Sequence, residues 1–294
     1  MRSLLFVPAD GGRKLDKALG CGADAVIVDL EDSVAPERKA PARASAAAFV
    51  AEAVRLPRRP FICVRVNGLG SGLIDADLET IVPARPDAIL LPKAEGGASI
   101  VHADAKLTAQ EAIAGLSEGH IKILAMAIES AAGLFLAATI GRQSARLIGL
   151  SWGAEDLAAE LGAESNRDPE GRYTSPYVYA RTLCLMAAAT AQVAAIETIY
   201  MDYRDPQALR RDSEAARRDG FTGRLAIHPA QVPIVNEVFT PSPAAVAAAQ
   251  AIVAAFAASA GAGVIAIEGV MYDRPHLARA QQLIARAKAF SADA

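Results

Sequence analysis

The residues with the clearest chemical potential are charged side chains that end or follow short apolar runs of the sequence. One stretch, AVIVDLEDSV, places three carboxylates within four residues at the end of such a run. Carboxylates that are held together in a low-dielectric site repel one another unless a cation lies between them. The charged residues at the ends of the apolar runs are Asp29, Glu31, Arg65, Lys93, Glu129, Asp156 and His228.

Glu129 and Asp156 are the candidate metal ligands. Oxygen ligands without a cysteine or histidine cluster suit a hard cation such as Mg²⁺, with Mn²⁺ as the alternative. Each carboxylate also has a structural interpretation, because an acid in the first turn of a helix is stabilised by the helix dipole. The two residues follow neighbouring predicted strands, and this placement favours a shared metal over two separate structural roles.

Arg65 is predicted to bind the carboxylate of a substrate, because a buried guanidinium needs an anionic partner and can hold a carboxylate through two hydrogen bonds. The alternative is a structural ion pair with Asp29 or Glu31, which are two residues apart and therefore point to the same side of a strand. Lys93 is a candidate for a Schiff base, although an ion pair or a phosphate contact is the simpler interpretation.

These side chains must be brought together by the elements that precede them. Eight apolar runs, each followed by a helical pattern, occupy residues 1 to about 240, and they are continuous, as is typical of strands covered on both faces. They predict a (β/α)8 barrel, in which the C-terminal ends of the strands meet at one catalytic face. A doubly wound sheet is the alternative, but PADGGRK lacks the GxGxxG spacing. The runs cover 3–9, 24–31, 61–67, 88–94, 122–129, 146–153, 195–202 and 223–229.

The barrel domain is predicted to span residues 1–242, and residues 243–294 are predicted to form a C-terminal extension. Within the extension, 243–261 is typical of a helix, 264–273 of an apolar hairpin and 275–290 of a second helix. An extension of this size after a complete barrel can act as a lid or as an arm exchanged between subunits.

The composition excludes several classes of protein. Lys and Arg number 30 and Asp and Glu 33, so no basic excess points to nucleic acid. Cys21, Cys63 and Cys184 form neither a CxxC pair nor an even disulfide set, which predicts reduced core thiols in a cytoplasmic protein. The N-terminus is too weakly apolar for a signal peptide, and the uncharged, Ala-rich segment 244–267 predicts a buried or interface helix rather than a membrane span.

The motifs, taken in order, resemble those of the citrate lyase beta-subunit-like proteins of the HpcH/HpaI aldolase group. They are SLLFVPA, GADAVIVDLEDSVAPERK, VRVNGLGSG, LLPKAEG, AIES, WGAEDLAAELG, IHPAQ and VMYDRPHLARAQQL. The resemblance implies a TIM barrel that holds Mg²⁺ through Glu129 and Asp156. It also implies that Arg65 binds the carboxylate of a 2-keto acid, and that the enzyme breaks or forms a carbon–carbon bond of a coenzyme A thioester.

The resemblance extends to the C-terminal motif, in which Asp273 is implied to reach the site of a neighbouring subunit as acid or base. A homotrimer or hexamer follows from this arrangement.

Asp29 and Glu31 are predicted to orient Arg65 and to assist proton transfer. Gly153, Ala154 and Glu155 are predicted to contact the substrate. Arg13, Lys17 and Lys93 are predicted to bind coenzyme A. A solvated helix face is an equal alternative for Arg13 and Lys17. The motif has Val270 and Tyr272 where the family usually has Lys and Ile, and these residues bear on the lid contacts.

The predicted reaction converts malyl-CoA or citramalyl-CoA into acetyl-CoA and glyoxylate or pyruvate. One alternative is a citrate lyase beta subunit that acts on a citryl thioester of an acyl-carrier protein. A second is a non-catalytic barrel that binds keto acid and coenzyme A, and a metal-free Schiff-base aldolase is more distant. The predicted partners are these small molecules, with no nucleic acid and no membrane. The volume of the substrate pocket is expected to be set by Leu69, Leu73 and Trp152.

Overall fold

Eight parallel strands, hydrogen-bonded in chain order, close into a barrel in which the last strand pairs with the first. This computed structural model describes residues 1–259 and 261–291, so Ala260 and residues 292–294 of the predicted extension lie outside it. The closed barrel confirms the predicted (β/α)8 fold, and the doubly wound alternative is wrong because such a sheet stays open. The strands are β1 Ser3–Pro8, β2 Ala25–Asp29, β3 Phe61–Arg65, β4 Ala88–Leu91, β5 Lys122–Ile128, β6 Leu147–Trp152, β7 Ala194–Glu197 and β8 Gly223–Ala226.

Helices follow the strands and cover the outside of the barrel. Their inner faces are rich in alanine, and in α2 the buried residues include Ala42, Ala46 and Ala53, which let the helix lie close to the sheet. The helices are α1 Arg13–Leu19, α2 Lys39–Ala53, α3 Ile74–Ile81, α4 Gly96–Ile113, α5 Ala131–Leu136, α6 Ala154–Leu161, α7 Ser175–Ala191, α8 Pro206–Asp219 and α9 Val232–Phe239. Short 3₁₀ turns cover Pro36–Arg38, Leu69–Ser71, Val82–Ala84, Ala137–Thr139 and Pro229–Gln231.

The core of the barrel consists of side chains from all the strands. Every residue of β2 and β4 is buried, which explains why these runs are continuously apolar until they reach their C-terminal ends. Space is tight enough that a Cβ on Gly149 of β6 would lie 2.7 Å from Leu124 Cδ2 on β5. The interior cluster includes Leu4, Ala25, Ile27, Cys63, Ala88, Leu90, Leu124, Met126, Ile196 and Leu225.

The described residues fall into two compact units, Met1–Asn236 and a second that begins at Glu237, so the division lies within α9. The second unit contains the predicted helix, hairpin and helix. Glu268 and Gly269 at the hairpin turn both have positive φ, 49° and 81°, as a tight two-residue turn requires. These elements are α10 Pro243–Ala258, β9 Val264–Ile267, β10 Val270–Asp273 and α11 Arg274–Ser291.

One stretch among the described residues, Pro229–Ala258, is long and apolar enough by composition to cross a membrane, with a mean hydropathy of 1.5. Only 11% of its most apolar window is buried. The stretch is interrupted between α9 and α10, and α10 has 16 residues. A helix of that length rises about 24 Å, which is less than the roughly 30 Å of a hydrocarbon core.

All three cysteines are free in the described chain. Cys63 and Cys184 are buried, as predicted for core thiols, and burial raises the pKa of both. Cys21 is only partly buried, so the prediction of a core position was wrong for this residue. It follows α1 on the outside of the barrel.

Candidate active site

A cavity of about 250 Å³ lies among residues from the C-terminal ends of the strands. Asp29 and Arg65 come from β2 and β3, and Asp156 comes from the first turn of α6. Apolar side chains form much of the remaining wall. The lining residues are Phe6, Pro8, Asp29, Ser33, Arg65, Met126, Gly153, Ala154, Glu155, Asp156, Thr198, Ile199 and Ile227.

Arg65 is held by a two-point hydrogen bond to Asp29. Its Nε donates to Asp29 Oδ1 at 2.7 Å and its Nη2 to Asp29 Oδ2 at 2.6 Å. The guanidinium carbon also lies 4.8 Å from the centre of the Phe6 ring. Burial by itself would lower the pKa of Arg65 and raise that of Asp29, but the ion pair outweighs burial and shifts both in the opposite directions. The structural ion pair of Arg65 with Asp29, which the sequence analysis offered as the alternative to substrate binding, is therefore present.

Glu31 joins the same cluster from the loop after β2. Its Oε2 lies 2.8 Å from Arg65 Nη1 without hydrogen-bond geometry, and its Oε1 accepts from Lys93 Nζ at 2.6 Å. The backbone N–H groups of Glu31 and Ser33 donate to the Asp29 carboxylate and fold the loop around it. Burial raises the pKa of Glu31 despite these cations. Asp29 and Glu31 thus share Arg65, as predicted, although the loop and not a common strand face brings Glu31 there.

Lys93 connects the acidic groups of the rim. Its ammonium lies 3.5 Å from Asp32 Oδ2 and 3.8 Å from Asp156 Oδ1, and its backbone N–H donates to Glu129 Oε2 at 2.5 Å. Its backbone φ is +50°, a conformation that is uncommon for a residue with a side chain. Burial tends to lower the pKa of Lys93, but Glu31 and its neighbours raise it overall, which disfavours the neutral amine that a Schiff base requires.

Glu129 and Asp156 lie close enough together to interact electrostatically. Glu129 is buried, and burial together with the charge of Asp156 raises its pKa to about 8. In β5, Ala127 is an extra residue, since Met126 pairs with Ser151 and Ile128 with Trp152. A bulge of this kind re-aims the side chains that follow it.

The two carboxylates suit a divalent cation. A buried carboxylate beside a second one is stabilised in its ionised form by a positive charge, and the ammonium of Lys93 already lies near Asp156. Oxygen ligands of this kind are those that Mg²⁺ prefers, and Mg²⁺ commonly uses only one or two carboxylates. Within residues 1–259 and 261–291, no group of three or more His, Cys, Asp or Glu side chains is arranged to hold a metal.

Position 153 requires glycine because the Glu129 side chain fills the space that a Cβ would occupy. A Cβ at this position would lie 2.8 Å from both Cγ and Oε1 of Glu129. Gly153 precedes α6, and its N–H donates to Ile128 O at 2.9 Å. Ala154 and Glu155 also line the cavity, as expected of substrate contacts, and Glu155 Oε1 accepts from Asn166 Nδ2 at 2.8 Å.

The predicted coenzyme A ligands Arg13 and Lys17 lie on the exposed face of α1, beyond β1. Their position is compatible with both interpretations from the sequence, a phosphate contact and a solvated helix face. His228 caps the turn Pro229–Gln231, and its Nδ1 accepts from Ala230 N at 3.1 Å.

Sequence reasoning missed the residues that anchor the loop after β2. Lys39 Nζ donates to Leu30 O and Glu31 O at 2.7 Å each and to Asn67 Oδ1 at 2.8 Å. The buried carboxylate of Asp77 accepts from both the backbone and the side-chain nitrogen of Asn67 at 2.7 Å. Asn67, two residues after Arg65 at the end of β3, was the available indication, whereas Lys39 lies in the next helix.

The expected pocket residues were also wrong. Trp152 is fully buried and donates from Nε1 to Glu197 Oε1 at 2.7 Å, and neither Leu69 nor Leu73 lines the cavity. The apolar wall comes instead from Phe6 and Met126 on the strands and from Ile199 and Ile227 beyond β7 and β8. Strand ends are predictable from periodicity, but the side chain that fills a given volume is not.

Asp273 lies at the end of β10 in the second unit. Its Oδ1 lies 2.5 Å from His276 Nδ1, and this hydrogen bond lowers the pKa of Asp273. Val270 is exposed and Tyr272 contacts the edge of the His276 ring, with 5.5 Å between the ring centres. The predicted action of Asp273 on a neighbouring barrel remains a prediction.

Comparisons with known proteins identify relatives over nearly the whole chain. The chain is 38% identical over 293 residues to a (3S)-malyl-CoA thioesterase of Cereibacter sphaeroides, covering 99% of this chain and 96% of the relative. It is 33% identical to a mitochondrial citramalyl-CoA lyase of Rattus norvegicus, covering 96% of this chain and 85% of that protein. The structure of the protein CitE from Mycobacterium tuberculosis, in complex with magnesium, acetoacetate and coenzyme A, matches with a TM-score of 0.78 and 31% identity over 98% of both chains.

The cofactors predicted from the sequence, magnesium and coenzyme A, are both ligands in that solved relative. The family model described as HpcH/HpaI aldolase/citrate lyase matches residues 2–229, which include all eight strands of the barrel. The barrel and these relatives agree on one assignment. The chain belongs to the HpcH/HpaI aldolase/citrate lyase family of carbon–carbon lyases.

Proposed function

We propose that this protein is a Mg²⁺-dependent lyase that breaks or forms the carbon–carbon bond of a 3-hydroxyacyl-CoA such as malyl-CoA or citramalyl-CoA. The products of cleavage are acetyl-CoA and a 2-keto acid, glyoxylate or pyruvate. The observation that carries the proposal is the pair of carboxylates Glu129 and Asp156 beside a cavity that Arg65 lines, where burial and then the charge of Asp156 raise the pKa of Glu129 to about 8.

Glu129 and Asp156 would hold the metal, with Mn²⁺ as an alternative to Mg²⁺. When bound, Mg²⁺ acts as a Lewis acid that polarises the keto-acid carbonyl and stabilises the negative charge that develops on its oxygen. Lys93 supports this site through its backbone N–H, which binds Glu129. Its ammonium balances the surrounding carboxylates Glu31 and Asp32.

Arg65 would bind the keto-acid carboxylate. Asp29 holds two of its nitrogens, which fixes the plane of the guanidinium, and the Phe6 ring lies against it. The remaining nitrogen, Nη1, contacts Glu31 through geometry too poor for a hydrogen bond and is the one best able to turn to a substrate oxygen. A pre-oriented arginine loses little side-chain entropy on binding a carboxylate.

Asp273 of a neighbouring subunit would serve as the acid or base. In the direction of bond formation it removes a proton from the methyl group of acetyl-CoA, and in cleavage it returns the proton. This arrangement requires an oligomer, and we propose a homotrimer or hexamer. Arg13 and Lys17 would contact the coenzyme A phosphates, Lys93 would assist them, and Gly153, Ala154 and Glu155 would contact the acyl group. The proposed location is the cytoplasm.

Thioester hydrolysis is the second candidate function. It is favoured by the 38% identity to a protein named (3S)-malyl-CoA thioesterase. Hydrolysis would use the same acyl-CoA but attack the thioester carbon with water, and the products would be free coenzyme A and malate. The carbon–carbon bond would then remain intact.

The deciding experiment follows the products formed from malyl-CoA and citramalyl-CoA by mass spectrometry, with Mg²⁺ and then with EDTA. Acetyl-CoA with glyoxylate or pyruvate, lost in EDTA, supports the lyase. Free coenzyme A with intact malate or citramalate supports the thioesterase instead. If the folded protein leaves both thioesters unchanged in Mg²⁺, the lyase proposal fails for these substrates, and a citryl thioester of an acyl-carrier protein is the next substrate to assay.

A further inference from the structure

The side chains of Asp273 and His276 are joined by a hydrogen bond. The carboxylate Oδ1 and the imidazole Nδ1 are 2.5 Å apart, too close for two lone pairs to face each other. Since the carboxyl of Asp273 has a lowered pKa, Nδ1–H of His276 is the donor and Oδ1 the acceptor. The backbone N–H of Asp273 also lies near Nδ1, at 3.3 Å, and this longer contact yields to the shorter one. The other ring nitrogen, Nε2, makes no hydrogen bond within the part of the chain that the structure describes.

The surrounding backbone fixes both partners. Asp273 ends β10, where it pairs with Val264 of β9, and α11 begins at the next residue. Pro275 in the first turn restricts the backbone, so His276 is placed one helical turn above Asp273. Tyr272 meets the imidazole edge to face, with an angle of 82° between the rings. The imidazole is therefore confined on one side by a ring and on the other by the carboxylate.

We infer that His276 is a positioning residue for the acid or base Asp273: it donates to Oδ1 and thereby leaves Oδ2 as the oxygen that exchanges a proton with the substrate. This inference rests on the proposed function, in which Asp273 acts on acetyl-CoA. A carboxylate that is free to rotate presents either oxygen in many orientations. One donor on Oδ1 removes that freedom, which matters because proton transfer needs close and aligned groups.

The proton transfer balances without a change in His276. In the direction of bond formation, a C–H bond of the acetyl methyl breaks and an O–H bond forms at Oδ2. The electron pair stays on the carbon and forms the new carbon–carbon bond. His276 keeps its proton throughout, so it does not act as an acid or base itself. In cleavage, the proton on Oδ2 returns to the methyl carbon.

The test compares His276→Ala with His276→Asn in the full-length enzyme. The asparagine side-chain N–H can still donate to Oδ1, whereas alanine cannot. We expect kcat of the alanine variant to fall by about 10–100-fold with KM for both substrates nearly unchanged, and the asparagine variant to keep most of the activity. Added imidazole should restore kcat of His276→Ala but not that of Asp273→Ala. His102→Ala, at an exposed position of α4, is the control.

A second measurement does not depend on turnover. Carbon-13 NMR of the aspartate carboxyls, with Asp273→Asn to identify the resonance, should show the pKa of Asp273 rising in His276→Ala and remaining low in His276→Asn. If the wild type has no lyase activity, the proposed function fails. This measurement still decides whether His276 donates a hydrogen bond to the Asp273 carboxylate. The inference is overturned if His276→Ala keeps wild-type kcat, if imidazole gives no rescue, or if the Asp273 titration does not move.

Discussion

At Glu129, burial and the nearby Asp156 raise the pKa, while the Lys93 N–H stabilises the ionised form. The net result is a carboxyl that titrates at about 8, far above its ordinary 4.5. A group that binds its proton more tightly in the folded state makes the protein less stable as pH rises between these two values. A bound cation offsets that loss because it interacts with the ionised form.

We therefore expect Mg²⁺ to bind more tightly as pH rises toward 8, by up to about tenfold per pH unit, because ligand and proton compete for Glu129. The gain in Tm on adding Mg²⁺, measured from pH 6 to 9, reports this competition. Glu129→Gln should abolish both the Mg²⁺ effect and its pH dependence. A Tm gain that is equal at all pH values would contradict this assignment.

Arg65 contributes a planar guanidinium with fixed donor directions as well as a charge. Arg65→Lys keeps the charge but loses the two-point contact with Asp29, so we expect kcat/KM for the keto acid to fall by about 100-fold or more. The measurement is steady-state synthesis of the acyl-CoA at varied glyoxylate or pyruvate. Arg218→Lys, at an exposed position of α8, is the matched control and should leave the kinetics unchanged. Equal kinetics for both variants would assign Arg65 a purely structural role.

At the scale of elements, the loop between β2 and α2 is held by Lys39. Its ammonium satisfies two backbone carbonyls and the Asn67 side chain, and α2 begins at Lys39 itself. The first turn of α2 and the end of β3 are thereby tied to the loop that carries Glu31. The position of one acidic residue in the site thus depends on three elements.

Replacing this anchor should loosen the loop. We expect Lys39→Met to lower the free energy of unfolding by about 1–3 kcal/mol, because three acceptors lose their donor. Urea denaturation measures the loss. Lys14→Met, on the exposed face of α1, provides the comparison. An unchanged unfolding midpoint for Lys39→Met would show that water replaces the ammonium at no cost.

The close approach of α6 to β5 makes a second prediction at this scale. In Gly153→Ala, the new Cβ would lie 2.8 Å from Glu129 atoms and must displace that carboxylate. We expect the affinity for Mg²⁺, measured by calorimetry, to fall by at least about tenfold, since ligand position limits Mg²⁺ binding. Gly70→Ala, where nothing lies within 4 Å of the added atom, should bind Mg²⁺ normally. Normal binding by Gly153→Ala would disprove Glu129 as a ligand.

At the scale of the whole molecule, the proposed site combines a barrel from one subunit with Asp273 from another. Variants Glu129→Gln and Asp273→Asn should each be inactive alone. Mixed by co-expression, they should regain activity up to about a quarter of wild type, because random assembly joins an intact barrel with an intact Asp273 in that share of sites. Hybrid oligomers that show no recovered activity would place Asp273 outside the neighbouring site.

The sequence by itself determined the barrel and the residues of its rim. Continuous apolar runs specify buried parallel strands, and charges at the ends of those runs converge once the barrel closes. Asp29 and Glu31 both contact Arg65 as predicted for orienting residues, although Glu31 does so from the loop after β2. These features depend on local periodicity, which the order of neighbouring residues defines.

Only the tertiary structure decided which distant groups meet. Lys39 on Asn67, Lys93 between Glu129 and Asp156, and the apolar wall that includes Phe6 all join segments far apart in the chain. The wrong expectation for Trp152 has the same cause, since its ring turns to Glu197 on the adjacent strand. Side-chain direction and packing volume arise from the closed barrel as a whole, and no local pattern encodes them.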